Sequence, residues 1–156
     1  MKGNQRVIDE LNMRLTEELS CINQYMVHSE MCENWGYERL HKNIEKRAFT
    51  EMRHAEKLIQ RILFLEGIPI VSKLNEIHIG SDVAKMHQND SAMEEMAVKN
   101  YNASIRIAME ENDNGTREFL NSILKEEEEH LDEIEAQLDE IGQMGIQNYL
   151  VQQVVG

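Results

Sequence analysis

Apolar residues recur along this chain at three- and four-residue steps, the spacing of one face of a helix. Ile8, Leu11, Leu15, Ile22 and Tyr25 mark a first seam, and Ile44, Ala48, Ala55, Leu58, Ile62 and Leu65 mark a second. Ala84, His87, Ser91, Val98 and Tyr101 form a third, and Leu120, Leu124, Leu131, Ile134, Leu138 and Ile141 a fourth. The pattern predicts helices α1 over about 4–34, α2 over about 38–66, α3 over about 82–111 and α4 over about 114–142. Gly36 follows α1, Gly67 and Pro69 close α2, and Ser81 with Asp82 offers a cap for α3. Asp113, Asn114 and Gly115 signal a tight turn before α4, and Gly142 and Gly145 interrupt the pattern before a short α5 over about 146–153. Residues 67–81 hold no sustained period and read as a crossover. Two tight turns and one long link predict an all-α four-helix bundle, in which the middle connection runs lengthwise and the whole chain, 1–156, is one domain.

Each seam has one position that the apolar pattern leaves open, and in each case it is filled by glutamate: Glu18, Glu51, Glu94 and Glu127. In the stretch FTEMRHAEKLIQRILFLEG, Glu51 stands between Ala48 and Ala55, with His54 one turn on. The chain overlays on itself after a shift of 76 residues: Glu18 falls on Glu94, Tyr25 on Tyr101, Glu51 on Glu127 and His54 on His130. Self-similarity of this kind means two copies of one helix-pair unit.

A bare buried carboxylate costs several kcal/mol, and four in one interior need compensation. Two divalent cations neutralise four ionised carboxylates and leave two neutral imidazoles as further ligands. Carboxylate oxygen with imidazole nitrogen suits iron, manganese or zinc, and Glu and His at i and i+3 reach one point between helices. The donor set Glu18, Glu51, His54, Glu94, Glu127 and His130 matches the di-metal carboxylate site of helix bundles. A single Glu-x-x-His is a weak signal in an acidic helical chain, but two copies, each preceded at 33 residues by a core Glu, are a strong one. Tyr25 and Tyr101 share faces with Glu18 and Glu94. They read as phenols that orient the carboxylates, or as core aromatics whose hydroxyls found partners.

Composition narrows the functional classes. The net charge of −13 argues against nucleic-acid binding, which needs a basic stripe. Cys21 and Cys32 stand about 16 Å apart along α1, too far to pair, and fit a reducing compartment. No apolar run reaches the length of a membrane span and no leader-like segment opens the chain, so a cytoplasmic protein is expected. His28, His41, His78 and His87 read as structural or solvated.

The MKG start, NQYMVHSEM, the NWG turn, EMRHAEKLIQRILFLEG, EEEEHLDEIEAQLD and IQNYL together resemble the bacterioferritin family over essentially the whole length. The resemblance implies a ferritin-like fold. It also implies a ferroxidase centre at the six residues above, with Glu51 and Glu127 bridging two irons per subunit and Glu18 and Glu94 terminal. It implies oxidation of Fe(II) by O2 or H2O2, storage of ferric mineral in a homo-oligomeric 24-mer built of two-fold dimers, and a ferredoxin as electron donor. Met52 points out of the bundle near Leu19, Asn23, Met26, Phe49 and Ile59. By the resemblance it ligates a haem b shared by two subunits. Lys46 and Thr50 depart from the His and Asp that some relatives use for an inner-wall iron, which puts such a site in doubt. The rival readings are a rubrerythrin-like di-iron peroxidase, a non-catalytic haem- or metal-binding bundle, and a plain helical interaction module. The peroxidase normally needs a rubredoxin module with paired Cys-x-x-Cys knuckles, which two cysteines cannot supply.

Overall fold

A computed structural model describes residues 1–155. It holds five helices: α1 Gln5–Asn34, α2 Glu38–Phe64, α3 Val83–Glu110, α4 Asn114–Met144 and α5 Ile146–Val151. There is no strand among the described residues. Side-chain caps start three of the helices. Asn4 accepts from Arg6 N at 2.8 Å, Asp82 from Lys85 N at 2.8 Å and Asp113 from Thr116 N at 3.0 Å.

The helix ends differ in detail from the pattern. At the end of α2 it is Glu66 that takes the left-handed conformation, φ 61°, while Gly67 donates back to the Ile62 carbonyl at 2.9 Å. Gly67 is required by crowding instead: a Cβ there would come 2.7 Å from Ile8. Between α3 and α4 the turning residue is Asn112, φ 58°, so the turn precedes the Asp-Asn-Gly triplet and Gly115 lies inside α4. Gly142 does not break α4, which continues to Met144 and stops at Gly145, φ 80°.

α1 packs along α2, α3 along α4, and α1 against α3, whereas α2 and α4 barely touch. The crossover lies beside α1, and buried polar residues of α1 hold its backbone. Asn12 donates to Ile68 O at 3.1 Å and accepts from Ile70 N at 2.8 Å. Ser20 accepts from Asn75 N, Gln24 from His78 N and His28 from Gly80 N. These contacts satisfy an irregular segment that has no ladder of its own. Residues Asn12, Gln24 and His28 are buried on a second face of α1, outside its predicted seam. On α4, Ile123 is more deeply buried than Leu124, Leu131, Leu138 or Ile141, which are only half-buried.

The apolar interior is in two parts. One is built around Leu11, Leu15, Leu58, Ile62 and Leu120. The other, around Cys32, Leu40, Ile44, Met86 and Tyr149, is closed by α5. Both cysteines are buried and unpaired. Among the described residues no helix is long and apolar enough to cross a membrane.

Candidate metal centre

The four seam glutamates and both histidines converge between the two apolar regions, one turn or less from each helix's midpoint packing. Ligand-type atoms of Glu18, Glu51, His54 and Glu127 lie within 4.8 Å of one another, and so do those of Glu51, Glu94, Glu127 and His130. Glu51 and Glu127 belong to both groups. All six side chains are buried.

The contacts cross between halves. His54 Nδ1 lies 2.9 Å from Glu127 Oε1, 3.5 Å from Glu18 and 3.7 Å from Glu51. His130 Nδ1 lies 2.9 Å from Glu51 Oε1 and 3.6 Å from Glu94. Tyr101 donates to Glu18 at 2.5 Å, and Tyr25 donates to Glu94. Each α1 or α3 carboxylate is thus oriented by a phenol from the opposite half.

The inward atoms are short of partners. Glu18 Oε2, both Glu51 oxygens, Glu94 Oε2, Glu127 Oε2 and His130 Nδ1 are buried with no hydrogen bond. Orphaned oxygens at this density are rare in a folded interior. Here they belong to two groups of side chains that share Glu51 and Glu127, each of which could hold a cation.

Electrostatics agree with that arrangement. Burial, then the charges of Glu18 and Glu94, push the Glu51 carboxyl well above the ordinary carboxylate range. Burial, then Glu18, Glu51 and Glu94, do the same to Glu127. Burial also acts upward on Glu18, yet its close neighbours Glu51, His54 and Tyr101 hold it down to about 2. Burial opposes charge on His130, but Glu127 and Glu94 outweigh it and raise the imidazole to about 9. His54 is likewise raised, by Glu127, Glu18 and Glu51 against the effect of burial. Protons on these groups therefore compensate the negative cluster, and divalent cations would displace them.

Several neighbours were not legible as part of the site. Glu126 Oε2 lies 3.3 Å from His54 Nε2, behind the ring. Arg47 stacks over Tyr25, 5.1 Å from the ring centre, and its Nη2 lies 3.8 Å from the buried Asp90. Asp90 accepts from Gln24 at 2.9 Å and pairs with His28 at 2.9 Å. Asp90 stands four residues before Glu94, beside the α3 seam that runs through Ser91, and that i, i+4 spacing of two acids was the available signal. Beside His130, in the gap between α2 and α4, a cavity of about 310 Å³ is lined by Lys46, Arg47, Thr50, Glu126, Glu129 and Glu133 among others. Thr50 is turned to its own helix, donating to Lys46 O at 3.1 Å.

Met52 stands apart from this centre, 43% exposed on the outside of α2. Met26 and Phe49 are also exposed, while Leu19, Asn23 and Ile59 are half-buried.

Comparison with known sequences points one way. The family described as Ferritin-like domain matches residues 8–144. A bacterioferritin of Mycobacterium leprae (strain TN) is 37% identical over 152 residues, covering 97% of this chain and 96% of that protein. A bacterioferritin of Streptomyces coelicolor (strain ATCC BAA-471 / A3(2) / M145) is 37% identical over 150 residues, with coverages of 96% and 90%. One of Brucella melitensis biotype 1 is 36% identical over 149 residues, with coverages of 96% and 92%.

Proposed function

The chain belongs to the bacterioferritin family, and on that premise we propose that it stores iron, oxidising Fe(II) as it takes it in. The observation that carries this reading is the pair of four-residue ligand sets sharing Glu51 and Glu127. Fe(II) is the substrate. Glu18 and His54 would complete one position and Glu94 and His130 the other, with Glu51 and Glu127 spanning both. Two ions held a few ångströms apart can each give one electron to a common oxidant. With O2 as oxidant, two Fe(II) and two protons yield two Fe(III) and H2O2; with H2O2, two Fe(II) and two protons yield two Fe(III) and two waters.

The protein's own residues do the preparatory work. The four carboxylates neutralise the incoming charge, and the protons held by the raised groups Glu51, Glu127, His54 and His130 leave as iron binds, so affinity rises with pH. Tyr25 and Tyr101 fix the orientation of Glu94 and Glu18. The apolar regions above and below exclude water and strengthen every charge interaction in between.

The wider reading includes a cytoplasmic 24-subunit cage of two-fold dimers and a ferredoxin that returns electrons for iron release. Haem fits at Met52: the thioether is a soft iron ligand, it is exposed, and exposed Met26 and Phe49 offer apolar surface. Met52 from two chains would hold one haem b, which when bound supplies one-electron transfer. Inner-wall iron at Lys46 and Thr50 is not part of the proposal, because neither side chain is a good iron ligand and Thr50 is engaged with its own helix.

Stopped-flow absorbance after mixing Fe(II) with O2 tests the centre. A fast ferric signal at two irons per chain, lost in Glu127→Ala, is expected; an unchanged rate in Glu127→Ala overturns the assignment. Size-exclusion chromatography with a visible spectrum tests the cage and the haem separately.

A further inference from the structure

One of the two phenols at the centre has a pair of buried charges behind it, and the other has none. Tyr25 donates to Glu94, and the Arg47 guanidinium lies over its ring, 5.1 Å from the ring centre. Tyr25, Arg47 and Asp90 come from α1, α2 and α3, and all three are buried. Arg47 Nη2 lies 3.8 Å from Asp90 Oδ2, a charge contact in which neither atom makes a hydrogen bond. Asp90 Oδ1 is fixed from α1: Gln24 donates to it at 2.9 Å, and His28 Nδ1 lies 2.9 Å away. Gly80 N donates to His28 Nε2 at 3.0 Å. That nitrogen supplies a lone pair, so Nδ1 carries the proton and the ring is neutral. Arg47 is therefore the one cation that pairs with Asp90 among the described residues. With no water to screen them, each charge holds the other in place.

The other half is built differently. Under the shift of 76 residues, Arg47 falls on Ile123 and Asp90 on Arg14. Ile123 belongs to the apolar cluster that contains Tyr101. Arg14 is engaged with Asn100 O and Ser104 Oγ, both at 2.9 Å, and with Glu17. Among the described residues no cation lies over the Tyr101 ring. We propose that Arg47 and Asp90 are positioning residues for one metal position only: they hold the Tyr25 ring, the ring aims Glu94, and the affinity of the position completed by Glu94 and His130 depends on them. The inference rests on the reading of the buried cluster as a metal centre. Neither residue is a ligand. The stack on the ring face limits rotation of the phenol, and Asp90 keeps the guanidinium over that face.

The test is metal binding rather than oxidation. Crystals of the assembled protein are soaked in graded Zn2+, and anomalous scattering gives the occupancy of each position. The variant is Arg47→Met together with Asp90→Asn, since removing both charges leaves neither unpaired in the interior. The Glu94 and His130 position should need at least about tenfold more Zn2+ than in the parent protein, while the Glu18 and His54 position fills as before. Tyr25→Phe should give the same one-sided loss. Adding it to the double variant should cost nothing further, because residues acting in one chain of contacts are not additive. Equal weakening of both positions, no weakening, or a loss that adds to that of Tyr25→Phe overturns the proposal while the metal centre stands. A parent protein that takes up no Zn2+ at either position overturns the metal centre itself, and this inference with it.

Discussion

The two halves of the bundle carry the same ligand-type side chains at the same offsets but surround them differently. His54, in the first half, is 1% exposed and has Glu126 behind its ring. His130, in the second, is 7% exposed and lines the cavity between α2 and α4. The residue that repeats Glu126 in the first half is Thr50, which bonds to its own helix and leaves His130 unsupported. Farther out, Leu11 is part of an apolar core, whereas its repeat His87 is buried against Tyr149 of α5, 3.0 Å from the hydroxyl. Charge balance holds the ligands alike in both halves. The surroundings are set by what each half packs against: the crossover lies on α1, and α5 lies on α3 and α4.

The strongest test of the shared ligands is to break one in each half. Glu51→Ala and Glu127→Ala should each slow Fe(II) oxidation by at least about 100-fold, more than the loss of an outer partner alone. Stopped-flow kinetics would show whether the two are equivalent, and a large difference between them would mean that the halves are not interchangeable. A second test restores the sequence of the first half at His87. Burial, then the charge of Arg47, lowers this imidazole from 6.5 to about 4. The unfolded chain therefore binds more protons between those values, and the stabilisation present above pH about 6.5 is lost as pH falls toward about 4. The loss is about 3 kcal/mol. His87→Leu should flatten that acid limb in urea unfolding, at the expense of about 1 kcal/mol at neutral pH from the Tyr149 hydrogen bond.

Smaller effects separate the supporting residues. Tyr25→Phe and Tyr101→Phe each leave a buried carboxylate oxygen without its donor, and each should reduce metal affinity by about tenfold in calorimetric titration. Unequal losses would show which position binds first. Smallest of all, Glu126→Gln should weaken binding a few-fold through His54, while Thr50→Ala should leave it unchanged, since the Thr50 hydroxyl donates to its own helix.

Sequence alone determined the helices, their order and the six ligand-type side chains on inward faces, because all three follow from local periodicity and the repeat. A helix of known phase places Glu51 and His54 on one face, and four buried acids have few outcomes besides cations. The repeat added that the halves are paired. Tertiary structure alone decided what lies behind the ligands. The pairing of Tyr25 with Glu94 and Tyr101 with Glu18, the stack of Arg47 on Tyr25, and the use of Asn12, Gln24 and His28 to hold the crossover all join residues on different segments. Such contacts depend on the rotation and height of one helix against another. Periodicity within a single helix carries no information about either.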